Sequence, residues 1–155
     1  MSNETEPTIA ELEADLAALR FPSFDQGVAF RLGTVAVQLI QERDLPVAVQ
    51  IIFGDQIVFT AALNGAAPAT ADWLRRKSRT ALLDAESSLL IKRRIEQGAP
   101  DLAARGLDEN EYAAYGGSFP LIVGNDAVGT LTVSGAADTV DHDLATAAIR
   151  RFLSA

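Results

Sequence analysis

Ile9, Leu12, Leu16 and Leu19 recur at spacings of three and four, which predicts an amphipathic helix that Phe21-Pro22 ends. Ser23-Phe24-Asp25-Gln26 has the form of a capping box, and Val28, Leu32, Val35 and Leu39 then mark a second helix running to about Asp44, closed by Pro46. The pattern changes at residues 47 to 53, which are nearly all apolar and rich in β-branched side chains. Gly54-Asp55 separates them from a similar run, Ile57 to Leu63, so the two read as a hairpin. Apolar residues on both faces of these strands fit helices on one side and another layer or subunit on the other. Residues 64 to 68 form a loop, and a helical stretch follows from about Thr70 towards Gln97. Leu74, Ala81, Leu82 and Ala85 are its core candidates, Ser87-Ser88 its bend or break, and Gly98 and Pro100 its stop. Asp108 is placed to cap a short helix through Tyr112 that Gly116-Gly117 ends. Phe119 to Val123 and Val128 to Ser134 make a second hairpin. Asp138 or Thr139 then caps a last helix with Leu144, Ala148 and Phe152 on one side and Arg150-Arg151 at its carboxyl end.

The order α-α-β-β-α-α-β-β-α, with tight hairpins and no βαβ repeat, predicts an α+β fold. Its centre is an antiparallel sheet of four or five strands flanked by helices, in a single layer-packed domain over residues 9 to 155 after a flexible N-terminus, residues 1 to 8. A chain of 155 residues with 48% hydrophobic and 22% charged residues can bury one ordinary core.

The formal charge of -8 disfavours nucleic acid and anionic lipid as partners. The acidic amino terminus lacks the regions of a secretory signal and no apolar run is long enough to span a membrane, so a cytoplasmic protein is expected. Cysteine is absent, which removes disulfides, thiolate metal sites and cysteine nucleophiles, and His142 is the single histidine, too few for a zinc site within one chain. No nucleophile elbow, phosphate-binding loop or dinucleotide fingerprint occurs, so neither serine hydrolysis nor nucleotide binding has motif support. Asp138, Asp141 and Asp143 lack the spacing of a calcium loop and read as capping residues.

Charge is unevenly spread. Residues 72 to 94 hold seven of the thirteen basic residues against three acidic ones, a stretch of +4 in a chain of -8. Trp73, Arg75, Arg76 and Lys77 place an aromatic plate, two guanidinium groups and an ammonium within about one and a half helical turns, a group suited to holding a carboxylate or phosphate. The competing reading is a solvated helical face, or salt bridges to the acidic remainder with Trp73 as packing. Lys92-Arg93-Arg94 complements a helix dipole and takes no ligand role. His142, in the first turn of its helix, is disfavoured from protonation and so offers a neutral imidazole, or is simply a residue of the capping region.

Trp73-Leu74-Arg75-Arg76-Lys77, Glu86-Ser87-Ser88, Tyr112 to Pro120, Val128 to Gly135 and Asp141-His142 occur in order, and together they resemble the haem-degrading domain family, the GlcG and PduO carboxy-terminal-like group, in its largely uncharacterised branch. The resemblance spans residues 10 to 153. It implies a central antiparallel sheet flanked by helices, a homo-oligomer, and haem as cofactor. His142, Tyr112, Tyr115 and Lys77 or Lys92 are the axial candidates, Arg75, Arg76 or Lys77 the partners of the propionates, and Trp73 or Phe119 the stacking groups, beside the glycines Gly116 and Gly117. The leading expectation is thus an oligomeric haem or small anionic-ligand binding domain, with its catalytic residues unassigned and enzymatic activity left open. The alternative is a non-enzymatic homo-oligomeric scaffold or adaptor. A third expectation, catalysis through a Lys77 whose pKa the neighbouring arginines lower, carries the least weight.

Overall fold

A computed structural model describes residues 6 to 155. Helix α1 (Ile9–Ala18) starts at Thr8, whose hydroxyl accepts from the Glu11 N–H while the Glu11 carboxylate accepts from the Thr8 N–H. The flexible N-terminus expected over residues 1 to 8 falls largely on residues 1 to 5, outside those described. Helix α2 (Gln26–Arg43) is capped by Asp25, whose carboxylate takes the Val28 N–H at 2.8 Å, and not by a box opening at Ser23. Asp44 ends it in the left-handed conformation, φ 52°.

Strands β1 (Ala48–Phe53) and β2 (Gln56–Ala62) form the first hairpin, and β3 (Ser118–Val123) and β4 (Asp126–Ser134) the second. β1 and β4 join them, giving one four-stranded antiparallel sheet in the order β2-β1-β4-β3. The fold is α+β, as the element order implied.

Between the hairpins the long helical stretch is two helices, α3 (Thr70–Asp84) and α4 (Ser88–Glu96). The break falls where expected: Ala85 closes α3 with φ 54° and Ser87 caps α4 through its hydroxyl. The helix expected over 108 to 112 is absent. Asp108 accepts from the Asn110 and Tyr112 N–H groups, but these bonds close turns and no helix propagates. Helix α5 (Asp138–Ser154) starts after Ala137 with no side-chain cap, because Asp138 and Asp141 are engaged elsewhere.

The two faces of the sheet differ in chemistry. α2 and α5 cover one face, where Leu32, Leu39 and Ile40 meet Val49, Ile51, Phe119, Leu121, Leu131, Val133, Leu144 and Ile149 in a continuous apolar core. α3 crosses the other face above β4 and β3, over buried Ser118, Thr130, Thr132 and Ser134. Ser118 Oγ and Thr132 Oγ1 lie 2.9 Å apart there and satisfy one another. Leu12 of α1 packs on Leu89 and Leu90 of α4 in a smaller cluster. Among the described residues no helix is long and apolar enough to cross a membrane.

Candidate functional site

The basic stretch is answered within the chain. Arg75 pairs with Asp72 and Glu111 at 2.8 and 2.9 Å, Arg79 with Glu111 at 3.1 Å, and Arg76 approaches Asp72 and donates to the Glu109 carbonyl. Lys92 meets Asp138 at 2.7 Å, Arg93 meets Glu6 and Glu96, and Arg94 meets Glu13 and Glu86. Five of these carboxylates lie outside residues 72 to 94, so the island of charge visible in the sequence is not one in space.

Lys77 is the most deeply placed of the group. Its ammonium donates to the carbonyls of Gly116 and Val133, both at 2.9 Å, and to Asp141 Oδ2 at 3.2 Å. Burial pushes the Lys77 pKa down, opposed by Asp141, while burial pushes the Asp141 carboxyl up, opposed by Lys77 and by the N–H groups of Ala136 and Gly135. The direction for Lys77 matches the expectation, but the cause is burial and not the neighbouring arginines. With three acceptors around three donors, Lys77 is saturated as an ammonium and fixes the end of β4 to α3 and α5.

Trp73 and Tyr115 meet edge to face, 5.7 Å between ring centroids, with Arg76 over the indole at 4.6 Å and Lys92 over the phenol at 5.2 Å. This ridge separates two pockets of about 520 and 490 Å³. Arg76 and Tyr112 line the first, Lys77 and Asp141 the second, and Trp73, Tyr115 and Lys92 line both. Gly116 and Gly117 lie beside the second. A Cβ on Gly117 would stand 2.7 Å from Lys77 Nζ, so the small residue is what lets the ammonium in. Trp73, Arg76, Lys77, Tyr112, Gly116 and Gly117 are therefore brought together; Arg75 turns aside to Glu111, and Phe119 lies fully buried in the apolar core.

His142 faces a different cavity, of about 880 Å³, bounded by α1, the end of α2 and α5. It is only 4% exposed and packs against Phe119, 6.4 Å between ring centroids. Burial lowers its pKa from 6.5 to about 4, so the ring is neutral at neutral pH, and its buried Nδ1 has no hydrogen-bond partner. Leu45, Val140 and Ala14 supply apolar wall. Arg43 and Arg150 stand in the same lining, held by Asp143 at 2.8 Å and Asp15 at 2.5 Å. Sequence reasoning missed both. Arg150 carried a signal, since residues 142, 146 and 150 form one stripe on a helix; Arg43, a hundred positions from its Asp143 partner, carried none.

A family sequence model described as "Haem degrading protein HbpS-like" matches residues 24 to 150. A UPF0303 protein of Streptomyces coelicolor is 40% identical over 151 residues, covering 96% of each chain. In structure the chain is similar to the Ybr137w protein, with a TM-score of 0.89, 24% identity and coverage of 99% of this chain and 92% of that one. It is also similar to the protein of a PduOC:heme complex, with a TM-score of 0.72, 21% identity and coverage of 83% and 94%.

Proposed function

The chain belongs to the HbpS-like family of haem-degrading proteins, and from that footing we propose that it is a homo-oligomeric domain that binds haem, or a flat anionic ligand of that class, in the His142 cavity. The observation that carries this is the His142 imidazole: buried, held neutral, with an unpartnered ring nitrogen, in the lining of the largest of the cavities described.

The residues present fit the group. His142 would be the residue to hold the iron, through the nitrogen of a neutral imidazole. Apolar wall from Leu45, Val140 and Ala14 suits the macrocycle, and Arg43 and Arg150 can exchange Asp143 and Asp15 for propionates. Bound haem would supply a redox-active iron at this end of α5. The chain's own part is to hold the imidazole in its neutral form and to exclude water from one side of the ring through the packing of Phe119. The clamp expected at Trp73 to Lys77 is the weaker reading, because its pockets lack a histidine and its Lys77 is already saturated by Gly116, Val133 and Asp141.

Titration of the protein with haemin, read at the Soret band, tests the proposal. A saturable one-to-one shift that weakens at least tenfold in His142→Ala is expected. Identical titrations for wild type, His142→Ala and an Arg43→Ala/Arg150→Ala double variant would remove this cavity from consideration. The scaffold reading has one observation in its favour, the exposure of Phe30 and Ile57 near the sheet edge.

A further inference from the structure

The two edges of the sheet are treated differently. On the β3 side, Pro120 contributes no N–H, the Phe21 N–H donates to the Ile122 carbonyl at 2.8 Å, and Phe21 forms a bridge with Val123. On the β2 side the strand Gln-Ile-Val-Phe-Thr-Ala-Ala ends the sheet with neither proline nor charge. Lysine, proline and inward charges are the usual guards of an open edge, because unpaired main-chain donors and acceptors there template another strand. The bulge that leaves Val58 without a partner lies towards the hairpin turn, and the pairing from Phe59 to Ala62 is regular.

The side chains that flank this edge are largely uncharged, with Asp55 in the hairpin turn and Arg31 next to Phe30 as the charges nearest in sequence. Ile57 is 56% exposed, Thr60 is exposed, and on α2 Phe30 is 64% exposed with its ring edge-on to Phe59 at 6.2 Å. In a chain of -8, copies repel one another over most of their surface. An uncharged strand edge is where two of them can approach, whereas a basic partner would seek the acidic surface instead.

We propose that β2 pairs antiparallel with β2 of a second copy of this chain about a two-fold axis, joining two four-stranded sheets into one of eight strands. The edge is self-complementary, as an isologous contact requires: an antiparallel ladder matches each strand's donors to the other's acceptors. Phe30 and Ile57 of each copy then flank the seam. The inference deepens the homo-oligomeric part of the proposed function and rests on it, but not on the identity of the ligand.

The absence of cysteine makes the test direct. Single-cysteine variants at Ile57, Thr60 and Ala62 are oxidised mildly, with Arg79→Cys on α3 as control, and wild type and Ile57→Lys/Thr60→Lys are compared by light scattering at micromolar concentration. Around a two-fold axis the self-paired position brings its Cβ atoms within disulfide range, so one β2 variant is expected to cross-link nearly completely and the control not at all. The lysine variant is expected to halve the assembly mass. Both substituted positions are exposed, and an unchanged melting curve shows that the fold is kept. A wild-type oligomer whose mass survives the lysine substitutions, with no β2 cross-link, overturns the edge pairing and leaves the oligomer standing. A wild-type monomer overturns both, and leaves the edge to a strand of a different protein.

Discussion

Lys77 Nζ lies 3.2 Å from Asp141 Oδ2, with both side chains all but closed off from water, at 3% and 2% exposure. The pair sits where α3, the end of β4 and the first turn of α5 converge, and every remaining donor and acceptor of the two groups is met by main chain. An ion pair in such surroundings offsets its own desolvation only while both members are present.

Removing one partner is therefore expected to cost more than removing both. Lys77→Met or Asp141→Asn alone should lose about 3 to 5 kcal/mol in urea unfolding, the penalty of a lone buried charge or donor. The double variant Lys77→Met/Asp141→Leu should recover part of that loss. Equal losses in the single and double variants would assign the effect to packing instead.

His142 sets a pH dependence between its two pKa values. The folded value, about 4, lies below the 6.5 of an unfolded chain, so between these limits the unfolded state binds more protons. The contribution of His142 is complete above pH 6.5 and is lost as the pH falls to about 4, amounting to about 3 kcal/mol. Stability measured across this window should slope downwards towards acid in wild type, and His142→Gln should flatten the slope.

Gly33 lets α2 settle on the sheet edge. A Cβ there would stand 2.4 Å from the Phe59 ring, so Gly33→Ala should destabilise by about 1 to 3 kcal/mol through overpacking. Gly33→Ala/Phe59→Leu should restore much of this, since a smaller side chain clears the contact. A melting temperature unchanged in Gly33→Ala would contradict the close packing of α2 on β2.

The two candidate sites separate by mutation. Trp73→Ala and Arg76→Ala, on the ridge between the smaller pockets, should leave haemin affinity within about twofold of wild type. Arg43→Ala and Arg150→Ala should each weaken it about tenfold, the scale of one charge-assisted hydrogen bond. The reverse pattern in a Soret titration would return the site to the ridge.

The fold was legible wherever one element's identity depends on its own pattern. Both hairpins, the break before Ser88 and the sheet class follow from alternation and turn residues. Misreadings arose where a side chain had two local uses. Ser23 and Asp25 both suit the start of α2, and Asp25 takes the cap; Asp108 caps turns and no helix; Asp138 leaves the end of α5 for Lys92 and the Gly116 N–H. The site was legible in part. Density of basic residues is a local property, whereas the carboxylates that meet Lys77, Arg79 and Arg94 come from 64, 32 and 81 positions away, so only the folded chain shows the charge as spent. His142 stood out as the single histidine, but nothing along the chain placed Arg43 beside it.

The contrast between the sheet's two margins also limits growth. A margin that accepts one strand and another that accepts none leave a joined pair ending, on both outer flanks, in a β3 shielded by Pro120 and Phe21. Extension along the hydrogen-bonding direction stops at two chains, so the same unguarded strand that invites association also yields a finite particle rather than a fibre.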